Sequence, residues 1–263
     1  MTVRPSLSWP TGGHHFAVVT DDGVRLVGRA YGPKETETAL VICHGFTGTH
    51  RNPSLVDLCR RLSDEFAVFS FDFRGHGESE GISTLGDREV LDVQAVVEEA
   101  RNRGFRRVVS IGASMGGGAV LRAAALHGGV DAVVSISAPA EYKKPRKLSS
   151  KVMSWFIRSR PGRWVLHRQG TRVSTEWNSP QDPRELAAQI GEIPVTVVHG
   201  EKDRYLSTRE AELIYWSLAG PRTLVILPEF GHAEAGFDAP FADLLARLVR
   251  KMLVPVPAPV GAL

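Results

Sequence analysis

The 263-residue sequence predicts an α/β domain: a mostly parallel eight-stranded sheet with helices on both faces and a small helical cap. Three observations lead there. Short apolar runs rich in β-branched and aromatic residues alternate with longer stretches of helical periodicity. The length suits one sizeable core. One interval of more than fifty residues, between runs 132–136 and 195–199, breaks the alternation and is too long for a structureless connection.

Strands are expected at 16–20, 24–30, 39–43, 67–72, 108–112, 132–136, 195–199 and 223–227. The first two flank Asp21-Asp22-Gly23, a hairpin turn signal. The later six are near-continuously apolar, the pattern of strands covered by helices on both sides. Among the helices, 53–62 places Leu55, Leu58, Cys59 and Leu62 on one face, with Pro53 suited to a first turn. The next, 87–103, carries Val90, Val93, Val97 and Ala100 in one stripe and stops at Gly104. Segment 115–127 is rich in Ala and Gly, and 208–218 and 240–253 are amphipathic. This rhythm implies right-handed crossovers. Residues 1–263 therefore read as one domain, with 139–193 an inserted cap and the Pro-rich 255–263 a loose tail. The cap contains Trp155, Phe156, Ile157, Trp164, Val165 and Leu166, enough to form helices with an apolar face.

Composition narrows the class. Hydrophobic residues make up 43% and charged residues 23%, values of an ordinary soluble domain. No apolar run approaches the roughly 20 residues of a spanning helix. The first ten residues lack the layout of a signal peptide, so a cytoplasmic location is expected. Cys43 and Cys59 read as reduced, buried thiols and make no zinc framework. The net charge of +3 is uneven: residues 140–180 hold ten cations against Glu141 and Glu176, a net of +8, which leaves −5 for the remainder. That basic segment reads either as a solvated surface or as one attracting anionic substrates or an anionic membrane. Its Trp155, Phe156, Trp164 and Val165 suit the membrane version. No nucleic-acid recognition motif accompanies it, so no nucleic-acid partner is expected.

The chemistry concentrates at strand ends. Gly112-Ala113-Ser114-Met115-Gly116 matches G-x-S-x-G between an expected strand and an expected helix. A nucleophilic serine needs such a sharp turn, and side chains at Gly112 and Gly116 would clash there. Acyl transfer also needs two N–H donors for the developing oxyanion. The candidates are the Met115 amide and the Phe46 amide, in the loop His44-Gly45-Phe46-Thr47. His44 itself reads as a brace for that loop. After run 195–199, Asp203 and Glu201 are both able to orient an imidazole. His232, in Gly231-His232-Ala233 after the last strand, is the candidate base. His14, His15, His50, His127 and His167 read as solvated or structural.

With these residues in view, the chain resembles the α/β-hydrolase superfamily along nearly its whole length, and within it the serine esterases typified by bacterial cinnamoyl (feruloyl) esterases and monoacylglycerol lipases. The resemblance rests on His44-Gly45-Phe46-Thr47-Gly48, on Phe71-Asp72-Phe73-Arg74-Gly75-His76-Gly77-Glu78-Ser79-Glu80-Gly81, on the serine turn, on 199–203 and on Gly231-His232. It selects Asp203 over Glu201, and the order Ser114, Asp203, His232 is that of the superfamily. It makes Asp72, Arg74 and His76 structural. It implies a carboxylic ester hydrolase with a small-molecule ester substrate, no metal and no organic cofactor, its cap deciding the substrate. Two further readings stay open: a thioesterase, aminopeptidase or acyltransferase with the same three residues, and a non-catalytic binding protein.

Overall fold

A computed structural model describes residues 13–254 apart from 33–34, 143–146, 177 and 179, so the expected tail at 255–263 lies outside the described residues. Strands β1 (His14–Val19) and β2 (Arg25–Tyr31) form an antiparallel hairpin. Its turn is closed by the Thr20 hydroxyl, which donates to Asp22 Oδ1 at 2.6 Å, and by Gly23 at φ 81°. Strand β2 runs antiparallel to β4 (Ala67–Phe71). The strands β3 (Thr38–Cys43), β4, β5 (Arg107–Ala113), β6 (Ala132–Ile136), β7 (Val195–Gly200) and β8 (Arg222–Leu227) are mutually parallel. The eight lie in the order β1-β2-β4-β3-β5-β6-β7-β8.

Alternation along each central strand divides the core into two layers. On β3, Val41 points into one layer, and Leu40 and Ile42 point into the other. The Val41 layer holds α2 (Glu89–Asn102), α3 (Met115–His127) and α7 (Thr208–Ser217), through Val93, Val96, Val120 and Ile214. The Leu40 layer holds α1 (Pro53–Leu62) and α8 (Ala239–Leu253), through Leu55, Leu58, Leu62, Phe241, Leu245 and Val249. Each such side chain contributes about 1.5–3 kcal/mol relative to exposure. Cys43 and Cys59 are buried free thiols. Strand β8 departs from the expectation of full cover: it lies at the sheet edge, with Thr223 to Leu227 half-buried and Arg222 exposed.

The interval between β6 and β7 divides in two. Helices α4 (Leu148–Arg158) and α5 (Arg160–Arg168) pack on each other outside the sheet layers. The chain then returns along the loop after β4, where Arg172 N–H donates to Gly75 O at 2.7 Å and Ser83 N–H donates to Arg172 O at 2.8 Å. Next, α6 (Pro183–Leu186) and a following 3-10 turn enter the core, with Leu186, Ala187 and Ile190 buried. The stretch 183–190 thus belongs to the body of the fold, whereas the expected cap of 139–193 included it. On those helices Trp155 and Trp164 are 71% and 62% exposed.

The turn from β5 into α3 explains its glycines. Ser114 has φ 51° and ψ −113°, a left-handed backbone that a non-glycine residue adopts only when its surroundings enforce it. A Cβ on Gly112 would lie 2.1 Å from Gly116 O, and one on Gly116 would lie 2.4 Å from Cys43 O. Backbone occupies both places, so only glycine lets β3, β5 and α3 approach this closely.

Candidate active site

The loops following β3, β5, β7 and β8 converge beyond the carboxyl ends of the parallel strands, the end at which open α/β sheets hold ligands. The β5–α3 turn supplies Ser114. Its N–H donates to Ile136 O at 2.8 Å, and its carbonyl accepts from Gly118 N–H at 3.1 Å, which fixes the strained residue from both sides. The loop after β8 supplies His232, whose Nε2 lies 2.9 Å from Ser114 Oγ. The loop after β7 supplies Asp203, whose Oδ2 lies 2.7 Å from His232 Nδ1.

Asp203 is only 2% exposed. Its Oδ1 accepts from the Tyr205 and Leu206 amides at 2.8 and 2.9 Å. Burial works to raise this carboxyl. The His232 hydrogen bond and charge, with the two amides, outweigh burial and hold it below the usual carboxylate range. An ionised acceptor at Nδ1 selects the tautomer with the proton on Nδ1. Nε2 is then left as an acceptor for the serine hydroxyl. Glu201, the other carboxylate considered for this role, is exposed.

Phe46 and Met115 both border a cavity of about 440 Å³ that also reaches Ser114 and His232. The Phe46 loop is braced from below. His44 Nε2 accepts from Phe73 N–H at 3.0 Å, so its Nδ1 donates to Gly45 O at 2.7 Å. Burial pushes the His44 imidazole down to about 3, so it stays neutral and fits that pattern. His76 Nε2 accepts from Thr47 N–H at 3.3 Å. Asp72 in turn accepts from the backbone and Nδ1 of His50 at 2.7 and 2.8 Å, and from Glu78 N–H at 2.8 Å. Of the other histidines singled out in the sequence, His14, His15, His127 and His167 are exposed.

Two residues at this site have no signal in the sequence. Glu234, two positions past His232, accepts from Gly45 N–H at 2.6 Å and so ties the Phe46 loop to the His232 loop. Burial raises its carboxyl above the ordinary value. His199 is fully buried with Nε2 3.4 Å from Asp203 Oδ2, and burial lowers its imidazole. Glu234 lies far along the chain from Gly45, so only the folded geometry reveals that bond; His199 stands four residues before Asp203, but only the fold shows that its ring turns toward that carboxylate. The cavity is lined mostly by apolar side chains, including Leu85, Met153, Ile157 and Leu206, with Glu141, Arg158 and Glu210 as charged members. Such a cavity accepts a mainly apolar ligand that carries a few polar groups.

The family model described as alpha/beta hydrolase fold matches residues 38–188. The uncharacterized protein YfhR of Salmonella typhi is 28% identical over 257 residues, covering 89% of this chain and 79% of that protein. A non-heme chloroperoxidase of Burkholderia pyrrocinia is 25% identical over 283 residues, covering 87% and 98%. Among solved structures, the Pyrococcus furiosus esterase Pf2001 superposes with a TM-score of 0.70 at 19% identity, covering 95% of this chain and 98% of that one.

Proposed function

The chain belongs to the alpha/beta hydrolase fold family, and on that premise we propose that it is a serine hydrolase that cleaves carboxylic esters through an acyl-enzyme intermediate. The observation that carries this reading is the continuous line Ser114 Oγ, His232 Nε2, His232 Nδ1 and Asp203 Oδ2, with links of 2.9 and 2.7 Å. Ser114 Oγ attacks the ester carbonyl carbon while His232 Nε2 takes its proton. Asp203 stabilises the imidazolium and holds its orientation. The Phe46 and Met115 amides receive the oxyanion. When the tetrahedral intermediate collapses, His232 returns the proton to the leaving alcohol. Water, deprotonated by the same imidazole, then releases the acid and frees Ser114.

The test is turnover of p-nitrophenyl esters from acetate to palmitate, with fluorophosphonate labelling of the same preparation. Turnover with labelling at Ser114 is expected. Labelling without ester turnover would move the assignment to thioesters, peptides or acyl transfer. Neither signal would leave a binding protein.

Glu234 enters this mechanism as a positioning residue, because the Gly45 amide it holds precedes Phe46. Glu234→Ala is expected to lower kcat about ten- to a hundredfold with KM little changed, the scale of a small misplacement of a donor. Glu234→Gln keeps an acceptor oxygen and should restore most of the loss. Equal kcat in wild type and Glu234→Ala would remove the residue from the mechanism.

A further inference from the structure

Helix α4 has two apolar sides, and only one of them is used by the fold. Met153 and Ile157 border the cavity. Leu148, Val152 and Trp155, spaced four and three apart, form a separate stripe and are 76%, 56% and 71% exposed. On the adjoining α5, Trp164 is 62% exposed, with the Arg168 guanidinium 5.3 Å from its ring. The first turn of α4 is tied to the loop bearing Asp203. Lys147 Nζ donates to Asp203 O, and the Ser149 hydroxyl donates to Arg204 O at 2.6 Å. The outward stripe is therefore held in a fixed place rather than hung on a loose segment.

Charge says what suits this face. Residues 147–172 carry seven cations and no carboxylate. Lys151, Arg160 and Arg168 are exposed beside the apolar stripe. A second copy of the chain meeting it through the same face would bring the same positive charge against it. Nucleic acid would satisfy the cations but give Leu148 and Val152 no apolar environment. An anionic bilayer answers both: its headgroups attract the cations within a screening length of about 8 Å, and its interface accepts aromatic and aliphatic side chains. Among the described residues no helix is long and apolar enough to cross a membrane, so the contact is one of surface docking.

We propose that the outer face of α4 and α5 docks this protein on an anionic bilayer surface, with α4 standing between the lipid and the cavity. The test is flotation with vesicles of equimolar phosphatidylglycerol and phosphatidylcholine, compared with phosphatidylcholine alone, and it reads binding without reference to hydrolysis. Partitioning is expected to be about tenfold or more stronger on the anionic vesicles and to fall as salt is raised. Trp155→Ser with Trp164→Ser should cut it by about tenfold, and Lys151→Glu with Arg160→Glu should abolish it. These side chains are exposed, so the unfolding midpoint should not move in either variant. Equal partitioning on both vesicle types, no partitioning, or partitioning that survives both variants would overturn the proposal. So would self-association lost with the two tryptophans and unaccompanied by vesicle binding, which would assign the face to a second copy.

Discussion

Ser114→Ala is expected to lower kcat by about a millionfold for any ester the wild type turns over, and to abolish fluorophosphonate labelling. In the proposed mechanism the serine supplies the atom that bonds to carbon. Adding His232→Ala to Ser114→Ala should then cost almost nothing more, because the two act as one unit. Asp203→Asn makes the sharper test. Its Oδ1 is fixed by the Tyr205 and Leu206 amides, so an asparagine placed there keeps its oxygen on those donors and turns its NH2 toward His232 Nδ1. The imidazole must then accept at Nδ1 and carry its proton on Nε2. It can no longer take the proton of Ser114. A loss of about ten-thousandfold is the expected scale, with the unfolding midpoint checked to separate chemistry from folding. Steady-state rates within about tenfold of wild type for either variant would be irreconcilable with the proposed roles.

Much of this geometry is legible before folding because the elements involved are local. The limits of α1 and α3 follow from Pro53, from the spacing of Leu55, Leu58 and Leu62, and from the serine turn itself. One five-residue signature marks Ser114, and the ends of two apolar runs mark the Phe46 loop and the pair Glu201 and Asp203, between which the family resemblance chooses Asp203. What is not legible depends on how distant pieces meet. Glu234 and Gly45 are 189 positions apart, and nothing in either neighbourhood announces the hydrogen bond. The same holds for the interval between β6 and β7. Periodicity alone finds helices there, but it cannot say that Leu186 and Ile190 enter the core while Trp155 and Trp164 turn to solvent. Hydrophobicity predicts burial only where the fold supplies a partner surface. Strand β8 shows the same limit, since its apolar composition matches that of the central strands although it lies at an edge.

Asp92→Leu is expected to be the most destabilising single change outside the site. Arg74 is 2% exposed, and its guanidinium is held between Asp92 and Asp22 at 2.7 Å on each side. Asp92, itself fully buried, also accepts the Arg74 backbone N–H at 2.8 Å, so one carboxylate fixes both the side chain and the course of the loop after β4. Removing it leaves a buried guanidinium that cannot shed its proton, with Asp22 as its remaining acid partner in this network. A loss of about 3–5 kcal/mol follows, or roughly 6–20 °C in unfolding midpoint for a domain of this size. The reverse change, Arg74→Met, should cost less. Burial already pushes the Asp92 carboxyl up to about 7, so without its cation that group takes up a proton and becomes neutral. The double variant Arg74→Met with Asp92→Leu should therefore be more stable than Asp92→Leu alone, because the second substitution removes a buried charge that has lost its more buried acid partner. Thermal or urea unfolding of the three variants measures this directly. Simple addition of the two single losses would mean that the charges are independently solvated. The loop that carries His76 beneath Thr47 would then owe its shape to backbone contacts instead of to this ion pair.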